Sequence, residues 1–150
     1  MSERLLTLPL RLHHQQCDAL FANAEEAAHD GRWPQCCVEL ARFAEDIERH
    51  FSGEEELLFP AFEAVTGMSG GPTQVMRLEH RQMRELIAQM QAAVGRQDGE
   101  GFAGAAETLL VLMQQHNLKE ENILYPMCDR ALGAGELASA LQAHLEGAPC

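Results

Sequence analysis

Two segments of this chain repeat one another at a fixed distance, and that repeat narrows the folds open to it. The stretch His50-Phe-Ser-Gly-Glu54-Glu-Glu-Leu-Leu-Phe-Pro60 is matched 66 positions later by His116-Asn-Leu-Lys-Glu120-Glu-Asn-Ile-Leu-Tyr-Pro126. Each copy sets a histidine and a glutamate four residues apart, which on an α-helix puts both side chains on one face, one turn apart. The same offset relates Phe59 to Tyr125, Pro60 to Pro126 and His14 to His80. Four histidines and two glutamates thus obey a single two-fold relation. Imidazoles and carboxylates presented together from several helices are the chemistry of a transition-metal site.

The rest of the chain reads as helix. β-Branched residues are few, and apolar residues recur at spacings of three and four. A first helix is expected from about Pro9, with Leu10, His14, Cys17, Phe21, Ala24 and Ala28 on one stripe, ending at Asp30-Gly31, where Gly31 supplies a left-handed stop. A second is expected after Trp33-Pro34, with Val38, Leu40, Ala41, Phe43, Ala44 and Ile47 inward, until Pro60 breaks or kinks it. Gly70, Gly71 and Pro72 mark the clearest loop. A third helix then runs from about Thr73 to Val94 with Met76, His80, Met83, Ile87 and Met90 inward, and a fourth from about Phe102 to Pro126 with Leu109, Leu110, Met113, His116, Glu120 and Ile123 inward. A short helix from Glu136 to Leu145 closes the chain. The expected fold is all-α, an antiparallel up-down-up-down four-helix bundle over about 9–130 with a short terminal helix at about 135–146, in one domain spanning 1–150. The offset also pairs Leu10 with Met76, Cys17 with Met83, Phe21 with Ile87 and Ile47 with Met113, so the first helix pair is a structural repeat of the second.

Length and charge set the outer bounds. A chain of 150 residues is long enough to bury a core. A net charge of −12 argues against nucleic acid and against an anionic membrane surface, both of which call for clustered Lys and Arg. Carboxylates gathered to hold cations explain part of that charge. No apolar run approaches the roughly 18 residues of a membrane span, and the first ten residues lack the apolar core of a signal peptide, so the cytoplasm is expected. The five cysteines, Cys17, Cys36, Cys37, Cys128 and Cys150, form no Cys-x-x-Cys pair and read as reduced thiols that mostly fill core space.

The candidate metal ligands are His14, His50, Glu54, His80, His116 and Glu120, one or two from each helix, with the glutamates placed to bridge two ions. This donor set suits Fe, Mn or Zn and not Mg or Ca, which prefer oxygen shells. Of the adjacent pair His13 and His14, only one is expected to point into a bundle core, and His14 is the one that fits the offset. His29 and His144 have no mates and read as surface residues; Met76, Met83, Met90 and Met113 read as core filler rather than copper ligands. Tyr125 and Phe59 read as core rings below the site, with Tyr125, the one tyrosine, a weaker candidate for a proton or radical role. A different di-iron bundle uses Glu-x-x-His on two helices; here that pattern occurs once, at Glu26 to His29, opposite Gly95, and the reading fails.

With these residues in place the sequence resembles the hemerythrin-like, or HHE cation-binding, family. The resemblance is carried by His14, His50-x-x-x-Glu54, Glu79-His80 and His116-x-x-x-Glu120, flanked by Glu-Glu-x-x-Leu-Phe-Pro and Glu-Glu-x-x-Leu-Tyr-Pro. It implies an antiparallel four-helix bundle around two non-haem Fe ions with an oxo or hydroxo bridge and two bridging carboxylates, Zn and Mn being the alternatives. Oxygen-carrying hemerythrin has a fifth histidine where this chain has Arg84, and ends in a His-x-x-x-x-Asp pattern instead of His-x-x-x-Glu, which puts reversible oxygen carriage in doubt. The four-histidine, two-glutamate set is more similar to bacterial proteins implicated in repair of iron centres after nitric oxide or oxidative damage, which carry an extra N-terminal cysteine-containing domain for which this chain has no room. It is also similar to an iron- and oxygen-sensing domain of a eukaryotic ubiquitin-ligase subunit.

Three functions follow as expectations. The first is a binding or sensing module for dioxygen, nitric oxide, iron or redox state. The second is an enzyme that reduces nitric oxide or peroxide, or an iron donor in repair of iron–sulfur centres. The third is a structural bundle that picks up zinc adventitiously. Whether the chain is an enzyme stays open, as do its electron donor and oligomeric state.

Overall fold

The structure is a computed structural model that describes residues 5–147; Cys150, read above as a thiol, lies outside the described residues. Helix is the regular structure found among them. In chain order the elements are α1 (Leu8–His29), α2 (Trp33–Gly53), a π-helical turn (Glu54–Leu58), α3 (Phe59–Thr66), α4 (Pro72–Gly95), α5 (Gly99–Lys119), a second π-helical turn (Glu120–Leu124), α6 (Tyr125–Ala131) and α7 (Gly135–Leu145). Proline sits in the first turn of α1, α2 and α4, where its missing N–H costs nothing. Gly31, at φ +70°, takes the left-handed conformation that ends α1. Asp98 caps α5, its side chain accepting the Gly101 N–H at 2.9 Å.

The duplicated motif gives duplicated geometry. Neither Pro60 nor Pro126 stops its helix. The residue before each proline bonds five residues back instead of four: the Phe59 N–H donates to the Glu54 carbonyl and the Tyr125 N–H to that of Glu120. Proline has no N–H and crowds the carbonyl four residues earlier. One wider turn accommodates it and keeps the helix running, and such turns recur at functional sites.

That extra residue corrects one part of the inward stripe. Beyond Glu120 the inward residues are Leu124, Tyr125 and Cys128, while Ile123, expected inside, is 55% exposed. In α2 the buried stripe is Cys36, Leu40, Phe43, Ile47 and His50. Val38 is exposed, and so is Ala41, because each falls between the three- and four-residue steps of that stripe.

The four long helices form a bundle in which α1 packs on α2, α4 on α5, α2 on α4 and α1 on α5. α7 lies against α1 and α2, so the segment after Gly133 covers the bundle itself. The apolar interior is split in two. One cluster holds Cys17, Phe21, Phe43, Ile47, Met83, Ile87 and Leu109. The other holds Leu10, Leu58, Phe59, Met76, Leu124, Tyr125 and Leu141. Along each long helix the chain passes from one cluster to the other, and the histidines and glutamates of the repeat lie at the crossing.

Candidate metal centre

All six expected ligands are buried at that crossing: His14 is 3% exposed, His50 and His116 1%, and Glu54, His80 and Glu120 0%. They converge in two overlapping groups. Glu54, His80, His116 and Glu120 bring ligand atoms within 4.8 Å of one another, as do His14, His50 and Glu120. His80 Nε2 lies 3.0 Å from Glu54 Oε1, His116 Nε2 lies 3.3 Å from Glu120 Oε1, and His14 Nε2 lies 3.1 Å from Glu120 Oε1.

Of these contacts only that between His14 Nε2 and Glu120 Oε1 is a hydrogen bond. His80 Nε2, Glu54 Oε1, His116 Nε2 and Glu120 Oε2 are buried polar atoms without a hydrogen-bond partner. Leaving one such group unsatisfied costs about 1–3 kcal/mol, and four in one layer is a heavy burden for a small bundle. Nitrogen and oxygen atoms that approach so closely without aligning on each other are placed where they could hold a shared cation. The donor set therefore fits a transition metal.

The profile of the hemerythrin HHE cation-binding domain family matches residues 9–128. The chain belongs to this family. Among curated proteins it is 31% identical over 130 residues to the iron–sulfur cluster repair protein YtfE of Yersinia pseudotuberculosis serotype IB (strain PB1/+), covering 76% of this chain and 58% of the relative. YtfE of Yersinia pestis (strain Pestoides F) is 30% identical over the same extent. The chain thus spans rather more than half the length of these relatives. No solved structure matches it significantly.

In this hemerythrin-like bundle the candidate histidines are held from behind as well. With Nε2 turned to the centre, the Nδ1–H of His14 donates to Glu121 (2.8 Å), that of His80 to Glu55 (2.6 Å) and that of His116 to Glu79 (2.8 Å). Such partners fix the ring and its tautomer and raise ligand basicity. Two of the carboxylates are themselves paired, Glu55 with Arg84 and Glu79 with Lys119. The charge run Glu54-Glu55-Glu56 is therefore divided: Glu54 faces the centre, Glu55 backs His80, and Glu56 is exposed.

Both members of the His13–His14 pair are buried, contrary to the expectation that only one points inward. His14 reaches the central carboxylates. His13, 6% exposed, sits behind His50 with Nδ1 to Nδ1 at 3.0 Å. Two residues on adjacent positions of a helix can both be interior where α2 crosses α1 closely enough to cover the flank. Tyr125 also proves to belong to the polar layer. Its hydroxyl donates to Glu54 Oε2 at 2.7 Å and lies 3.1 Å from Glu120 Oε1, 3.2 Å from His50 Nε2 and 3.3 Å from His14 Nε2. Its repeat mate Phe59 is a buried ring 5.8 Å from that of His80. His29 is exposed as expected; His144 is half-buried and shares a 2.7 Å hydrogen bond with Ser52.

The electrostatics of the metal-free layer are divided. Burial, with Glu120 beside it, pushes Glu54 up to about 8. Burial also opposes ionisation of Glu120, but the nearby His116, Glu54 and His14 override it and hold that carboxyl well below its usual range. Burial would lower His116, yet Glu120 and Glu79 raise it to about 10. Burial and the neighbouring His14 drive His50 down to about 3. Cations entering the site therefore compete with protons for these imidazoles and carboxyls.

Proposed function

We propose that this chain is a single hemerythrin-like unit, an antiparallel up-down-up-down bundle, that holds two metal ions, iron in preference to zinc or manganese. His14 and His50 hold one, His80 and His116 the other, and Glu54 and Glu120 are shared between them. The observation that carries this reading is the set of unsatisfied nitrogen and carboxylate atoms meeting in one buried layer. When bound, an iron pair supplies redox chemistry and an open position for a small ligand. The protein's own part is to keep that layer dry between two apolar clusters, to fix each imidazole through its outer nitrogen, and to hold a proton on the Tyr125 oxygen beside Glu54.

The function best supported is binding or sensing of a small diatomic molecule, dioxygen or nitric oxide, or of iron and redox state, in the cytoplasm. A second reading is iron donation in repair of iron–sulfur centres, or reduction of nitric oxide or peroxide; its first part is favoured by the iron–sulfur cluster repair for which the YtfE relatives are named, of which this chain covers 58%.

Untagged protein purified anaerobically and assayed for iron tests the common premise: about two ions per chain support it, and fewer than one sinks it in favour of a structural bundle. Exposure of the loaded protein to oxygen, nitric oxide and peroxide in turn separates the readings. A lasting spectroscopic adduct supports binding, repeated turnover with an electron donor supports an enzyme, and transfer of iron to an apo cluster protein supports donation.

A further inference from the structure

The outer partners of the candidate histidines obey the 66-residue two-fold at one pair of positions and break it at the other. Glu55 behind His80 is the mate of Glu121 behind His14, and both are glutamates. Glu79 behind His116 is the mate of the residue behind His50, and that residue is His13. The rings of His13 and His50 lie within 6° of parallel, their Nδ1 atoms 3.0 Å apart. For His50 to offer a lone pair at Nε2, its proton must sit on Nδ1, so His13 Nδ1 is the acceptor. The His13 proton is then on Nε2, a buried atom without a hydrogen-bond partner that lies 3.6 Å from Asp46 Oδ1. Asp46 is fixed by Gln16 at 2.7 Å and Arg49 at 3.0 Å, and its repeat mate is Leu112, so nothing in the second half corresponds to it.

We propose that the two ion positions are inequivalent and that His13 is the positioning residue that makes them so, leaving the ion held by His14 and His50 the exchangeable one. A carboxylate behind an imidazole raises its basicity as a ligand. His116 has that support from Glu79, whereas His50 leans on a neutral nitrogen. The other departure from symmetry falls on the same side: the Tyr125 hydroxyl, near His14 and His50, donates to Glu54 and draws on the charge of a shared carboxylate, whereas Phe59 on the His80 side cannot. The inference rests on the two-ion reading above and adds which ion leaves first.

The test loads wild type and variants anaerobically with iron(II), follows release to a colorimetric iron chelator, and locates the remaining ion by anomalous diffraction from partly stripped crystals. Wild type should take up two ions and release one faster, with density lost first between His14 and His50. His13→Ala should speed that phase by roughly tenfold or more, the usual scale for an outer partner, and His13→Glu should slow it by roughly tenfold. His13→Gln, which keeps a neutral acceptor, should stay within about twofold of wild type, and Glu79→His should speed the slow phase until the two merge. Far-UV circular dichroism and melting of the metal-free variants identify any that fail to fold, and the remaining substitutions then decide. Two ions released at one rate in wild type, first loss from the His80 and His116 position, or an unchanged fast phase in folded His13→Glu would overturn the inference alone. His13, Cys17 and Asp46 also bring donor atoms within 4.8 Å of one another, and a third density peak among them would overturn the inference too, since His13 would then be a ligand in its own right. Fewer than two ions in wild type would overturn the two-ion reading as well.

Discussion

The half of the polar layer built by α4 and α5 and the half built by α1 and α2 share their inner residues and differ in what stands behind them. In the α4–α5 half every anion has a cation: His116 leans on Glu79, which pairs with Lys119, and His80 leans on Glu55, which pairs with Arg84. The Phe51 ring lies over His80 with centroids 4.1 Å apart. In the α1–α2 half the corresponding supports are the His13 imidazole and Glu121, whose side chain is 39% exposed. A tyrosine hydroxyl sits there where the other half has Phe59. One motif, duplicated, has given one half whose outer carboxylates are both paired with cations and another in which an imidazole stands where its mate is a carboxylate. The lesson is that like inner residues do not give two sides of a layer the same chemistry when what stands behind them differs.

The strongest way to break the comparison is to remove what both halves share. Glu54→Ala and Glu120→Ala should each strip both ions, so that metal analysis returns close to none and the melting temperature falls to that of metal-free protein or below. Retention of two ions by either variant would contradict a shared carboxylate. Next in size, His50→Ala and His116→Ala should each cost one ion per chain, from opposite halves, as read by metal content and anomalous density. Loss of both ions from either single variant would mean that the halves cannot fill independently.

Exchanging the rings sharpens the contrast at lower cost. Tyr125→Phe makes the first half resemble the second. It should leave iron content unchanged while costing the metal-free protein about 1–3 kcal/mol, because the buried Glu54 oxygen loses its donor; chemical denaturation measures this. Acidity probes the α4–α5 half from both ends in metal-free protein. His116, raised to about 10 by Glu120 and Glu79 against the opposing effect of burial, contributes stability that is full below its ordinary value of 6.5 and is lost as pH rises through about 10. Glu55 is lowered to about 2 by His80 and Arg84 despite its burial, so its contribution holds above its ordinary 4.5 and is lost as pH falls through about 2. Melting curves of wild type and Glu55→Gln across pH should diverge above about pH 4.5 and converge toward pH 2, and parallel curves would refute the pairing. Smallest of all, Arg84→Leu should cost under about 1 kcal/mol, since its carboxylate partners are partly solvated, and His29→Ala should change neither iron content nor stability.

Much of this was legible in the chain before any coordinates. The 66-residue offset picked out the six inner residues because like residue types recurred at like places, and helical spacing put each His–Glu pair on one face. The same offset relates Glu55 to Glu121, so that pair of outer partners had a signal too. His13 had none. Its mate is Glu79, an unlike residue, and a search for matched types passes over an unmatched pair. Tyr125 was visible as a ring but not as a hydroxyl inside the polar layer. Ile123 falls outside the inward stripe because a strict helical period does not survive a turn that holds one extra residue.

The sequence by itself determined that helices would form, which faces would be apolar, and which imidazoles and carboxylates would share a level, since these follow from spacing along one chain. Only the tertiary structure decided what stands behind each imidazole, that the prolines are absorbed by wide turns, and that the two halves differ. Those outcomes depend on contacts between residues far apart in sequence, such as His13 with His50 and His14 with Glu121, whose distance is set by how closely two helices pack and by nothing in the spacing of either.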